Sequence, residues 1–252
     1  MKIRTIFIVL SLVATSLQSQ SKIDSVMAIW QDETKPDTTR LKVMRSYLIN
    51  NYNTLPIDSL NILSELQYNF AESKNQKLFM ANASIYQGLY QKFKGDHVSA
   101  MNYYLRCLQI VEELGNKKQI ALSSYWIGSV YQEQGLFTKA LEYYQRGYKI
   151  DKAEGNKSGI ASYYSMVGSM YSNLEDCDKA LEYHQKSLTL FEKLDDKYFI
   201  SGALSNIGIA YQCQKNYSKA LEYFLRSLKI DEELGDQSGM SSSLNLIGEC
   251  YR

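Results

Sequence analysis

The chain has 252 residues, of which 45% are hydrophobic and 22% charged, with a net charge of +1. That balance provides no basic face for nucleic acid or an anionic membrane surface, and it suits a soluble, packed body. With two prolines and no low-complexity tract, nothing in the sequence reads as a flexible linker.

The first residues, 1–20, open with Lys2 and Arg4, continue as an apolar run from Ile6 to Val13 and end in small and polar residues. This is the layout of a secretory signal peptide, and the run falls far short of the ~20 residues that span a bilayer. Cleavage is expected between Ser16 and Gln20, with Ala14-Thr15-Ser16 fitting the small-x-small rule best. No Cys follows the run to carry a lipid. The expected location is therefore extracytoplasmic or periplasmic, by export.

Next, Ile23, Val26, Met27 and Trp30 stand at i, i+3, i+4 and i+7, one face of an amphipathic helix. Asp37 or Thr38 can cap a second helix to about Asn50, and Pro56 suits the first turn of a third that runs to Ser73. Residues 21–80 thus read as a capping helix and a degenerate helical hairpin.

From Ala81 the chain repeats. Gly88, Gly128, Gly168, Gly208 and Gly248 stand 40 residues apart, and Ala100, Ala140, Ala180 and Ala220 keep the same step. A fixed period of this size marks a repeat array. Each unit holds two helical patterns: Ser124, Ile127, Gly128 and Tyr131 form one stripe, and Ala140, Leu141, Tyr144 and Tyr148 form the other. A glycine in a helix interior costs about 1 kcal/mol against alanine. Its recurrence therefore needs a packing reason, the simplest being close approach of the paired helix at Ala140, Ala180 or Ala220. The units are 81–114, 121–154, 161–194 and 201–234, with a partial unit at 241–252. In that last stretch Leu244, Ile247, Gly248 and Tyr251 form an apolar face that no second helix follows to cover. The expectation is a fragment of a longer array, or a repeat completed by another chain.

Gly168, Tyr171 and Ala180, with His184 at an aromatic site, resemble the tetratricopeptide pattern L-G-x2-Y…A-x3-F. The same sites are Ile127-Gly128, Tyr131, Ala140 and Tyr144 one unit earlier, and Ile207-Gly208, Tyr211, Ala220 and Phe224 one unit later. The resemblance covers about Ala81 to Arg252. The chain departs from the pattern in its 40-residue period, in lacking the early Trp and in lacking the Pro that closes the second helix; these features resemble the long-repeat variant, as found in bacterial exported members. The resemblance implies an all-α fold, an α–α superhelix of stacked antiparallel hairpins. It also implies a wall of first helices that holds an extended peptide or a partner's helix.

Candidate chemistry is sparse. His97 falls in a turn and His184 on a packing site, so neither makes a catalytic or metal site. Cys107, Cys177, Cys213 and Cys250 lack metal spacing and read as small core residues, with no pair selected. Gly155-Asn156-Lys157-Ser158 is an inter-repeat turn, not a phosphate loop. No cofactor, metal or small-molecule substrate is implied, and the chain does not read as an enzyme.

What remains is surface. Tyr125, Ser129, Gln132, Ser165, Ser169, Ser172, Ser205, Asn206, Ile209, Gln212, Asn245 and Glu249 lie off the packing stripe of the first helices and form the candidate partner-binding wall. Two readings follow. One is a scaffold that binds a peptide or partner protein on this concave face. The other is the extracytoplasmic input region of a larger signalling protein, a sensor histidine kinase or nucleotide cyclase. Its catalytic part, and any membrane tether, would then lie beyond Arg252.

Overall fold

The computed structural model describes residues 17–251, and every regular element among them is an α-helix. The leader expected over residues 1–20 lies outside the described residues except at 17–20, where the first helix begins. That helix, α1 (Leu17–Gln31), precedes α2 (Asp37–Asn51) and α3 (Ile57–Ser73). Then come α4 (Lys77–Phe93) and α5 (His97–Glu113), α6 (Lys117–Glu133) and α7 (Phe137–Ala153), α8 (Lys157–Asn173) and α9 (Cys177–Leu194), and α10 (Lys197–Cys213) and α11 (Tyr217–Leu234). The last is α12 (Gln237–Cys250). The starts of α2, α4, α6, α8, α10 and α12 each advance by 40 residues. The period therefore extends upstream into residues 37–73, where the glycine and alanine marks are absent. Pairs are antiparallel: Lys77, at the start of α4, bonds Glu113, at the end of α5, at 2.9 Å, and Lys197 repeats this with Glu233 at 2.8 Å.

The turns share one construction. A residue with positive φ follows one helix, and the next residue caps the helix that comes after. Gly95, Gly115, Gly135, Gly155 and Gly235 take the left-handed role, as do Asn75, Glu175, Asp195 and Lys215 in turns that carry no glycine there. Side chains of Asp96, Asn156, Asp176, Asp196, Asn216 and Asp236 then accept a backbone N–H of the following first turn. The helices α2, α3, α4 and α7 differ, because Pro36, Pro56, Gln76 and Leu136 stand at the cap position and make no side-chain cap hydrogen bond. Asp37 is thus the first helical residue rather than a cap, and Pro56 precedes the first turn.

Aromatic rings explain the mid-helix glycines. A Cβ added at Gly88, Gly128, Gly168 or Gly208 would come within 3.0 Å of the ring of Tyr104, Tyr144, His184 or Phe224 respectively. The alanines expected against these glycines are buried, and the Ala140 carbonyl would lie 3.1 Å from a Cβ at Gly128. The ring is met first, because a flat side chain lying across a helix needs a bare backbone beneath it. Gly248, in α12, has no such ring over it.

The chain forms two compact units, residues 1–123 and 124–252, which part within α6. In the first, Leu41, Met44, Leu48, Leu60 and Leu63 are fully enclosed. The helix α1 buries Ile23, Met27 and Trp30. The Trp30 ring meets Phe70 edge-on at 5.0 Å, and Arg40 Nε donates to the Trp30 carbonyl at 2.7 Å. In the second unit, Ala161, Leu188, Phe191, Ala203, Leu204 and Ile207 form a contiguous core. Burying the leucine, isoleucine, methionine and phenylalanine side chains among these stabilises by about 1.5–3 kcal/mol each.

The cysteines take two roles. Cys107 is the small core residue expected of all four, and burial pushes its thiol up to about 11. Cys177 and Cys213 instead form a disulfide, with Cα atoms 5.8 Å apart, which ties the first residue of α9 to the last of α10. Both sit at helix ends, where the antiparallel packing of α9 and α10 brings the two Cα atoms within disulfide reach.

Candidate binding surface

The candidate wall lies in the second unit, on the C-terminal part of α6 and on α8, α10 and α12. One expected member does not belong to it. Tyr125 is only 4% exposed; its ring lies over Gly147 of α7, and its hydroxyl donates to Asp151 at 2.6 Å. Burial and the Asp151 carboxylate push its phenol well above the usual tyrosine range. The side chain is drawn inward because Asp151 is a buried carboxylate in need of donors, and the Asn156 amide supplies another at 2.8 Å.

The same device returns 80 residues later. Asp231 is buried and accepts from the hydroxyls of Ser201 and Ser243, the second at 3.0 Å. Gly159 and Gly239 leave room for these two carboxylates, since a Cβ at either would overlap Asp151 or Asp231. In the alternate repeats the buried Val111 and Phe191 take the carboxylate's place, and Gln119 and Phe199 replace the glycines. The recurrence of Asp and Gly eight residues apart was the available signal in the sequence.

Several wall groups are engaged by their neighbours. Ser129 Oγ donates to the Trp126 carbonyl at 2.8 Å, and Ser172 Oγ to the Gly168 carbonyl at 3.2 Å. Gln132 accepts from the Tyr144 hydroxyl at 2.8 Å, while Ser205 turns toward α11 and shares a hydrogen bond with Ser227 at 2.8 Å. Gln212 Nε2 donates to Glu249 across the step from α10 to α12 at 3.3 Å. Ser165, Ser169, Asn206 and Ile209 are half-buried and Asn245 is exposed. Among the described residues, the polar members of this last group make no side-chain hydrogen bond. They are the part of the wall with unused donors and acceptors, and Glu249 is the wall's single charged member. Such a surface can pair with the amides of an extended chain but offers no cation to fix a terminal carboxylate.

At the packing site His184 is 1% exposed, burial lowers its imidazole to about 4, and its Nδ1 has no hydrogen-bond partner among the described residues. It is a neutral ring over Gly168. Among the described residues no three His, Cys, Asp or Glu side chains stand together to hold a metal ion, and no helix is long and apolar enough to cross a membrane.

The sequence model of the family described as tetratricopeptide repeat matches residues 79–153, 119–193 and 199–252. None of the curated proteins compared with the chain matches it in sequence. Among solved structures, a Rap protein complexed with competence and sporulation factor is similar with a TM-score of 0.72 at 17% identity, over 94% of this chain and 69% of that one. Aspartyl phosphate phosphatase F from Bacillus subtilis is similar with a TM-score of 0.62 at 17% identity, over 93% of this chain and 62% of that one. A signal transduction ATPase with numerous domains and a tetratricopeptide repeat sensor, from Pyrococcus horikoshii, gives 0.66 at 17% identity over 96% of this chain. This chain spans 38% of the ATPase's length. At these identities the likeness is one of fold, that of helical-repeat solenoids.

Proposed function

The chain belongs to the tetratricopeptide repeat family, and on that premise we propose that it is a non-catalytic scaffold that holds an extended peptide or partner protein. Its site is the wall of α8, α10 and α12, centred on Ser165, Ser169, Asn206, Ile209 and Asn245. The observation that carries this reading is the row of unused hydroxyl and amide groups on successive first helices, nearly free of charge. That lining suits a neutral, extended segment whose backbone amides need partners. The Rap protein solved with competence and sporulation factor is a structural neighbour in keeping with it.

We place the scaffold outside the cytoplasm. The leader layout of residues 1–20 and the Cys177–Cys213 disulfide both favour an oxidising compartment. A second reading, the input region of a larger signalling protein, draws support from the ATPase whose tetratricopeptide repeat sensor accompanies other domains.

Selection of an unstructured peptide library on the immobilised chain tests the scaffold reading. Asn206→Ala or Ser169→Arg should weaken each selected peptide about ten-fold, roughly 1.4 kcal/mol. Unchanged affinity in both variants would remove the wall from the binding site.

A further inference from the structure

A second polar feature lies in the first unit. Arg106 of α5 is half-buried, and its guanidinium is gripped on three sides. Nε donates to Ser84 Oγ at 3.1 Å and Nη2 to Gln87 Oε1, so α4 occupies the side edge of the fork. Ser84 and Gln87 are themselves buried, which fixes both acceptors. The guanidinium carbon lies over the ring of Tyr68 from α3, 4.1 Å from its centre, and over that of Tyr103, at 4.8 Å. Two hydrogen bonds and two rings define the plane and the direction of the terminal Nη1–Nη2 edge. Among the described residues that edge has no partner, and Arg106 joins no ion pair.

The sequence marks this site as different from its copies. The equivalent basic residues Arg146, Lys186 and Arg226 each follow a glutamate by four positions: Glu142, Glu182 and Glu222. Lys186 bonds its glutamate at 2.6 Å. Before Arg106 the same position is Asn102, so of these four basic residues it alone has no carboxylate four positions earlier in the sequence. The nearby acid, Glu72, stands beside the Tyr68 hydroxyl. A cation held rigid, partly desolvated and without its counter-charge is a prepared half of a bidentate pair. Guanidinium and carboxylate are both planar, and the two remaining N–H bonds on the terminal edge match two carboxylate oxygens.

We propose that Arg106, packed against Tyr68 and Tyr103 and pinned by Ser84 and Gln87, is a binding site for the side-chain carboxylate of an acidic peptide. The rings make its rim, and Ser84 and Gln87 act as positioning residues.

The test is a ¹⁵N–¹H titration of the Arg106 Nε group in the full chain at constant ionic strength, with a capped tetraglutamate peptide as probe. The resonance is assigned by its loss in Arg106→Lys or, should that variant not fold, by its contacts with the rings of Tyr68 and Tyr103. The expected result is a saturable shift with tetraglutamate and none with tetraglutamine. In a folded Arg106→Lys variant the peptide should bind about ten-fold more weakly, because the ammonium keeps the charge and loses the fork. An unmoved resonance would overturn the proposal, as would an equal shift with sodium chloride. An equal shift with inorganic phosphate would overturn the assignment to a carboxylate, and a shift with sodium acetate but not with tetraglutamate would overturn the assignment to an acidic peptide.

Discussion

Two glycines in successive repeats show how context sets the sign of a substitution. Gly168 lies under the His184 ring, where a methyl group would sit 2.6 Å from ring atoms, so Gly168→Ala should destabilise by about 1–3 kcal/mol through overpacking. Gly202, in α10, has nothing within 4 Å of an added Cβ, and Gly202→Ala should stabilise by about 0.5–1 kcal/mol through helix propensity and a stiffer unfolded chain. Thermal melts of the two variants check both signs. His184 gives a pH signature. Its folded pKa, about 4, lies below the unfolded value of 6.5 because burial disfavours the imidazolium. The unfolded chain therefore binds the proton first, and this residue's contribution is present above pH 6.5 and is lost as pH falls toward 4. The loss is about 3 kcal/mol at the most. His184→Phe, which copies the ring at Phe224, should remove that slope and melt at a higher temperature than the parent at pH 5. Parallel pH profiles for the two proteins would contradict the buried, neutral imidazole. The aromatic character of this site was legible from Tyr104, Tyr144 and Phe224 at the 40-residue step. Its contact with the glycine was not, because periodicity gives the spacing of two marks and not which side chain bridges them.

At the scale of helices and turns, the sequence was most readable where a local rule acts alone. Gly95, Gly115, Gly135, Gly155 and Gly235 announced their turns, whereas Glu175 and Lys215 adopt the same left-handed backbone without any residue preference to reveal it. There the packing of the helices on either side fixes a conformation that costs a non-glycine residue about 1 kcal/mol. The disulfide was hidden for a related reason. Cys177 and Cys213 are 36 residues apart, the same separation as Asp178 and Gln214, whose side chains meet at 2.7 Å in the same antiparallel pair. Only the register of α9 against α10 converts that separation into contact. Reducing the disulfide should lower stability by up to about 4 kcal/mol, the closure entropy of a loop of this length. Cys213→Ser should melt at the same temperature as the reduced parent and be insensitive to dithiothreitol. A melting temperature unaffected by reduction would mean that the bridge adds nothing to the fold.

For the molecule as a whole, the repeat was the most legible feature of the sequence, because one helical hairpin cannot bury its apolar stripe alone and must recur to make a core. The candidate wall was less legible. Off-stripe position was enough to bring Ser165, Ser169, Asn206 and Asn245 into view, but it also admitted Tyr125, which the buried Asp151 pulls into the interior. It included Gln132 and Ser205 as well, whose side chains are tied to Tyr144 and Ser227. An off-stripe residue is surface only when no buried polar group recruits it. The central claim is that successive first helices of the second unit hold the partner. Amide hydrogen exchange of the full chain, with and without a peptide selected on it, tests this most directly. Slower exchange on peptide binding within 157–173, 197–213 and 237–250 is the expected result. Protection confined to α9 and α11, or a footprint confined to residues before Ser124, would contradict it.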